Sequence, residues 1–237
     1  MTQRELADSV GVSRGYIAAI ESRRANPSLD VVDRISTALG LEVSLALRAP
    51  LVVVSTGQRD LVHARCSGYV ERRLQTAGWK VAREVEIIEG RSHGWIDLIA
   101  VHPSTETLLV VEVKTRLEDL GAVERQLGWY GRSAGEAARR LGWRPRRVVC
   151  WLLALASDEV ELVIRHNREV LGRGFPLRAR AMSAWLSDGR HETVGRGLAM
   201  IDPTSKRRTW LIPSRIDGRR SPSRYADYAA AAWRLAQ

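Results

Sequence analysis

The segment 94–116 constrains the fold most, because two short and mostly apolar stretches, interrupted by only a few charged residues, flank a turn. A hairpin turning at 104–105 would pair Asp97 with Glu112. Side chains alternate between the two faces of a strand, so Lys114 would share the face of both carboxylates. The opposite face is wholly apolar and contains Ile96, Leu98, Ala100, Leu109, Val111 and Val113. We therefore predict a sheet that is buried on both faces, with two acids and one ammonium group at one end.

The preceding strand offers a third acid. A second hairpin, turning at 90–91, would set Glu84 beside Asp97. Neighbouring carboxylates repel, and desolvating them costs several kcal/mol. A divalent cation would resolve this conflict, and oxygen ligands suit Mg²⁺ or Mn²⁺. The alternative is an ordinary salt-bridged hairpin, in which Asp97 or Glu112 pairs with Lys114.

Lysine is rare in this chain, where Lys114 is one of three lysines among 37 basic residues. Arginine is too basic to exchange a proton, whereas a lysine can orient or deprotonate a water molecule. A lysine two positions after Glu112 therefore indicates hydrolysis of a phosphodiester.

Asp97 and the run Glu112-Val113-Lys114 resemble the PD-(D/E)XK nuclease superfamily, which includes restriction endonucleases and Holliday-junction resolvases. The resemblance extends to an α-β-β-β-α-β order over about residues 60–156. It implies metal ligation by Asp97, Glu112 and the Val113 carbonyl. It also implies that Lys114 is the catalytic cation.

Two positions depart from that family's pattern. Trp95-Ile96 stands where the family has a proline before the aspartate. The additional acid usually supplied by the first helix has three candidates, Glu71, Glu84 and His63, of which we favour Glu84. A nuclease-like fold without turnover therefore stays an alternative.

Residues 1–47 are predicted to form three short helices. Thr2 and Glu5 form a capping box, and Ser13 and Ser28 begin the second and third helices. The apolar faces consist of Leu6, Val10, Val12, Ile17, Ile20, Val31, Ile35 and Leu39.

Ala7 is small at the predicted crossing of the first two helices, and Gly11 allows the tight turn between them. With these features, a segment of about 40 residues resembles the Cro/phage-repressor (XRE) helix-turn-helix family. The resemblance implies that the second helix enters a DNA major groove. The DNA contacts that it implies are Gln3, Ser13, Arg14, Tyr16 and Arg23. The family's helix before Gln3 is not present in this sequence, which leaves open whether Met1 is the true start.

The second helix offers few groups that can recognise bases. Gly15, Ala18 and Ala19 on its outer face cannot hydrogen-bond a base edge, and residues 1–50 carry no net charge. We expect weak, poorly specific binding, with a partner-binding helical module as the alternative.

The net charge of +10 is concentrated in residues 173–237, which carry 13 basic and 5 acidic side chains. Such an excess favours a polyanion as partner. The longest apolar run, 148–156, is too short to cross a bilayer, and the polar amino terminus does not resemble an export signal. We expect a cytoplasmic protein with no membrane association, in which Cys66 and Cys150 are buried thiols.

The predicted fold class is α/β (α+β overall): an all-α helix-turn-helix domain followed by a restriction-endonuclease-like mixed sheet. The expected ranges are 1–47 for the helix-turn-helix, 48–58 for a linker, 59–172 for the nuclease-like domain and 173–237 for a basic extension. That extension would hold a hairpin and a terminal helix. The predicted function is DNA binding with Mg²⁺- or Mn²⁺-dependent cleavage, and a homodimer is left open. The alternative is a transcriptional regulator whose nuclease-like domain is inactive.

Overall fold

The computed structural model describes residues 1–41, 43, 56–89, 92–188, 190–191, 195–214 and 223–237. The chain divides into two compact units, Met1–Val52 and Val53–Gln237. Residues 48–55 of the expected linker lie outside the described residues, and the helix that follows begins at Thr56.

The first unit contains the helices α1 (Gln3–Val10), α2 (Arg14–Glu21) and α3 (Leu29–Ala38). The predicted capping box is confirmed: the Glu5 amide donates to the Thr2 hydroxyl, and the Thr2 amide donates to the Glu5 carboxylate at 2.7 Å. The predicted caps Ser13 and Ser28 likewise accept hydrogen bonds from amides in the first turns of their helices. These side chains satisfy amides that a helix start leaves unpaired.

Within the described part of the first unit, the main buried cluster is centred on α1 and α2. Its buried side chains are Leu6, Ala7, Val10 and Ile17. Gly11 has a φ of 71°, a left-handed conformation that ends α1 and turns the chain toward α2. Leu39 was expected in the apolar face, but it follows the last turn of α3 and is 46% exposed.

The second unit is a six-stranded mixed sheet with helices on both faces, which confirms the predicted mixed α+β class. Its helices are α4 (Thr56–Thr76), α5 (Leu120–Arg140), α6 (Asp158–His166), α7 (Arg168–Gly174), α8 (Ala179–Ser187) and α9 (Tyr228–Leu235). Its strands are β1 (Lys80–Glu89), β2 (Ser92–His102), β3 (Thr107–Lys114), β4 (Arg147–Leu155), β5 (Leu177–Arg178) and β6 (Arg196–Ile201). The strand order is β1-β2-β3-β4-β6-β5, antiparallel from β1 to β3 and parallel thereafter.

Both predicted hairpin registers are present. Ile99 lies opposite Val110 in the β2–β3 ladder, and Glu89 lies opposite Ser92 in the β1–β2 ladder. The β2–β3 ladder ends at the pair Leu98–Val111, one position before Asp97 would meet Glu112. The acids of these two strands therefore lie where the strands stop pairing.

The sheet separates two apolar layers. We call the side covered by α4, α8 and α9 the α4 face, and the side covered by α5, α6 and α7 the α5 face. Five of the six residues predicted to share one apolar face pack on the α4 face: Leu98, Ala100, Leu109, Val111 and Val113. The sixth, Ile96, packs on the α5 face, so strict alternation breaks between Ile96 and Leu98. Both cysteines are buried free thiols, as predicted.

The carboxyl-terminal segment belongs to the sheet unit. β5 and β6 extend the sheet beyond β4, so residues expected to form an extension carry two of its strands. The expected hairpin after β6 is reduced to one antiparallel bridge between Met200 and Ile212. The predicted terminal helix is present as α9. Within the ranges that the structure describes, no helix has the length and apolar character needed to cross a membrane.

Candidate functional site

The first unit exposes a basic edge around α2. Arg14 begins the helix and Arg23 follows it, and both are exposed. Arg23 has a φ of 59°, a left-handed conformation that residues other than glycine seldom adopt. The Ser13 hydroxyl accepts a hydrogen bond from the Tyr16 amide, which fixes the start of α2 and leaves the hydroxyl proton free to donate.

Gln3 is held by a side chain of the neighbouring helix. Its amide nitrogen lies 2.6 Å from the Glu21 carboxylate, at the end of α2. The hydrogen bond joins the first turn of α1 to the last turn of α2. A phosphate at Gln3 would therefore compete with Glu21 for the same amide group.

Asp97 stands at the point where β2 leaves β3. One carboxylate oxygen accepts a hydrogen bond from the Val113 amide at 2.7 Å, and the other lies 3.3 Å from Nε2 of His63. This hydrogen bond from the Val113 amide links β2 to β3 beyond Leu98–Val111, the last pair of their backbone ladder. His63 comes from α4, so this helix reaches the end of the sheet where the acids lie.

Glu112 is the most deeply buried acid of this group, with its side chain 3% exposed. One oxygen lies 2.6 Å from Nζ of Lys114, and the other, Oε2, has no hydrogen-bond partner among the described residues. A buried carboxylate oxygen without a partner is costly. The salt bridge foreseen as the simpler alternative therefore forms, but it satisfies only half of the carboxylate.

The environment of the cluster shifts the pKa of two of its side chains, Glu112 and His63. Burial, reinforced by the charge of Asp97, raises the pKa of Glu112 to about 7, while Lys114 and His63 oppose the rise. The hydrogen bond to Asp97 raises the pKa of His63, while burial opposes it. The site thus holds two adjacent carboxylates with only partial compensation by cations.

Glu84 does not join this group. Its φ of 49° interrupts the β1–β2 ladder, although the same register continues on both sides, and Glu84 is exposed. The expected row of three acids across three strands is therefore not formed. Of the three candidates for the additional group, it is His63 that contacts Asp97, whereas Glu71 lies 3.7 Å from Arg83.

Sequence reasoning missed Tyr130 of α5. Its hydroxyl donates to the Trp95 carbonyl at 2.7 Å, and Gln126 donates to that hydroxyl at 2.6 Å. The pKa of Tyr130 is raised mainly by burial and also by the nearby charges of the two acids. A tyrosine ten positions into a helix carries no local signal, and only its packing against β2 identifies it.

An open cavity of about 280 Å³ adjoins the cluster. It is lined by His63, Val113, Lys114, Thr115, Arg116, Glu118 and Tyr228. Lys114 connects the buried Glu112 carboxylate with this cavity. A ligand there would meet two cationic side chains, Lys114 and Arg116, the imidazole of His63 and the carboxylate of Glu118.

The acidic cluster offers two carboxylates, Asp97 and Glu112, as candidate ligands for Mg²⁺. No group of three or more His, Cys, Asp or Glu side chains arranged to hold a metal occurs among the described residues. Mg²⁺, however, is commonly held by one or two carboxylates, with water and substrate phosphate as the other ligands. Asp97 and the unpartnered Oε2 of Glu112 fit that requirement in charge and chemistry.

Residues 1–45 match the family model described as "Helix-turn-helix". The chain is 46% identical over 44 residues to an immunity repressor protein of Bacillus phage phi105. It is 52% identical over 42 residues to an uncharacterized HTH-type transcriptional regulator of Methanothermobacter thermautotrophicus. These matches cover 19% and 18% of this chain and 31% and 61% of the two relatives. The chain therefore has an XRE-type helix-turn-helix at its amino terminus.

Proposed function

We propose that this chain is a DNA-binding regulator that uses its first unit to contact duplex DNA. The observation that carries the proposal is the α1–Gly11–α2 geometry, formed by a segment whose sequence is similar to segments of a repressor and an HTH-type regulator. In this fold the second helix enters the major groove. Arg14 and Arg23 supply charge at the two ends of α2, and Gln3, Ser13 and Tyr16 supply hydrogen-bonding groups beside them.

Affinity in this proposal comes mainly from phosphates. The outer face of α2 presents Gly15, Ala18 and Ala19, which leaves few base-edge contacts. Binding should therefore tolerate changes of DNA sequence and weaken steeply with salt. A homodimer, which would double the number of contacts, stays a prediction.

The test is a titration of labelled duplex DNA with the full chain at several salt concentrations. Replacing Arg14 or Arg23 by Ala should weaken binding about tenfold and reduce the salt slope by about one. Arg168→Ala removes one exposed positive charge from the second unit and is the matched control. Equal affinities of Arg14→Ala, Arg23→Ala and the control would refute the assignment of this surface.

A second candidate function, phosphodiester hydrolysis in the sheet unit, is favoured by the unpartnered, buried Oε2 of Glu112. We infer that Asp97 and Glu112 would hold Mg²⁺ or Mn²⁺, with the Val113 carbonyl as a further ligand by family resemblance. When bound, the cation would supply positive charge beside the scissile phosphate and lower the pKa of a water molecule.

Two side chains of the protein, Lys114 and His63, would assist the hydrolysis. Lys114 would orient the attacking water from the cavity side and exchange a proton with it, a role that arginine cannot take. Its ion pair with Glu112 at 2.6 Å fixes the ammonium group at the edge of the site. His63 would position Asp97 through the 3.3 Å contact.

The assay is incubation of the full chain with plasmid, branched and single-stranded DNA in Mg²⁺, Mn²⁺ or chelator. Lys114→Arg keeps the positive charge but should lower cleavage about 100-fold or more, and Glu112→Gln should abolish it. Glu136→Gln, at an exposed helix position, is the control. Tight DNA binding without metal-dependent cleavage would refute hydrolysis and leave the regulator.

A further inference from the structure

A second open cavity, of about 520 Å³, lies on the α4 face away from the acidic cluster. One wall comes from α4 and carries Tyr69, Arg72, Arg73 and Thr76, and the other is the turn at 203–206. Arg73 follows His63 by ten positions in α4, which corresponds to about 15 Å along the helix axis. The cavity is therefore distinct from the site proposed for hydrolysis.

The lining of this cavity is cationic and contains no acid. Arg72, Arg73 and Lys206 contribute three positive charges. Arg72 and Lys206 are exposed and make no ion pair within the described part of the chain. A concave surface with charges of one sign concentrates ligands of the opposite sign.

Arg73 is held in place rather than free. Its guanidinium donates to the Ser205 carbonyl at 2.7 Å and lies over the Tyr69 ring, 5.0 Å from the centroid. Only part of its donor capacity is used in this way. The buried Tyr69 hydroxyl has no partner in good hydrogen-bond geometry, although Arg73 and Ser205 are its neighbours.

The opposite wall is also fixed. The amide and hydroxyl of Thr204 both donate to the Asp202 carboxylate, at 2.9 and 2.7 Å, and the Ser205 amide donates to the Asp202 carbonyl at 3.0 Å. Asp202 is 6% exposed and turned toward Thr204, Tyr225 and Arg224, so it does not line the cavity. The Ser205 hydroxyl accepts from the Arg207 amide and keeps its proton available.

We propose that this cavity binds a phosphate group. Guanidinium, ammonium and hydroxyl donors around a pre-formed opening are the groups that recognise phosphate oxygens. The phosphate could belong to a nucleic-acid backbone or to a small phosphorylated molecule. The exposed Arg207 and Arg208 continue the positive charge out of the opening, which favours the extended polyanion. The proposal depends on neither the helix-turn-helix nor the acidic cluster.

The experiment compares the full chain with a double variant, Arg72→Gln with Lys206→Gln. Both positions are exposed, and Arg73 is left intact because it holds the turn. The matched control is Arg165→Gln with Arg168→Gln, two exposed arginines on the helices of the α5 face. Thermal melts of all three proteins confirm equal folding before binding is measured.

Two probes separate the sources of the phosphate. Calorimetric titration with inorganic pyrophosphate should show about tenfold weaker binding in the double variant and little change in the control. Titration of duplex DNA at several salt concentrations should show a slope reduced by about two if both side chains of the cavity contact the backbone. A lost pyrophosphate response with an unchanged DNA slope assigns the cavity to a small phosphorylated molecule. Pyrophosphate affinity in the double variant equal to that of the control overturns the proposal, whether or not the chain binds DNA.

Discussion

Glu112→Gln should stabilise the protein in metal-free neutral or alkaline buffer. The pKa of Glu112 rises from 4.5 to about 7 on folding, mainly through burial. Because the pKa of this acid is raised by folding, its protonated form favours the folded state. This contribution to the free energy of unfolding is complete below pH 4.5 and is lost as the pH rises through 7. A shift of this size corresponds to about 3 kcal/mol above pH 7.

The magnitude is measurable in a chain of this length. About 3 kcal/mol should raise the melting temperature by roughly 6–12 °C at pH 8. The partner Lys114 is 29% exposed, so water can solvate its ammonium group once the carboxylate is gone. The gain should shrink steadily as the pH is lowered toward 4.5.

The assay is urea unfolding of the full chain with chelator at pH 8, 6.5 and 5. Glu136→Gln removes an exposed carboxylate and should leave stability within about 0.5 kcal/mol. Equal urea midpoints of Glu112→Gln and the parent at pH 8 would refute the expected stabilisation. A difference in midpoint that increases as the pH is lowered would refute it as well.

Two further predictions concern packing and pH. Gly131→Ala in α5 would bring a Cβ within 2.8 Å of the Cys150 sulfur and should destabilise by about 1–3 kcal/mol. In the same helix, the new Cβ of Gly135→Ala would meet only the flexible end of an arginine, at 3.8 Å, and the substitution should stabilise the protein by about 0.5–1 kcal/mol. Similar melting temperatures for the Gly131→Ala and Gly135→Ala variants would contradict this packing. Burial, aided by the charge of His102, lowers the pKa of His191. The neutral imidazole therefore stabilises the fold above pH 6.5, and this stability is lost as the pH falls through the lowered pKa of the folded state. His191→Asn, which tolerates the φ of 54°, should therefore lose less stability than the parent between pH 7.5 and 5.5 in urea unfolding, and an equal loss would refute this.

The registers of the first three strands were predictable because each hairpin leaves little freedom. A short turn limits which residues can face each other, and a slip of one position would move Asp97, Glu112 and Lys114 onto the opposite, wholly apolar face. Helix starts in the first unit were predictable for a similar reason, since Thr2, Ser13 and Ser28 satisfy local amides. Local chemistry of this kind is visible in a single sequence.

Unusual backbone conformations and contacts between residues distant in the sequence could not be predicted from local sequence patterns. Glu84 adopts a left-handed φ that residues other than glycine seldom take, and nothing in its neighbours marks it. The approach of His63 to Asp97 depends on how α4 rotates on the sheet. The two-residue strand β5 is too short to show a period.

The most direct test of the proposed acidic site is Mn²⁺ binding, followed by electron paramagnetic resonance of the free ion in a titration with the full chain. We expect one Mn²⁺ site that is lost in Asp97→Asn and Glu112→Gln and retained in Glu136→Gln. Mn²⁺ binding that is unchanged in Glu112→Gln, or absent from the parent at millimolar concentration, would contradict it.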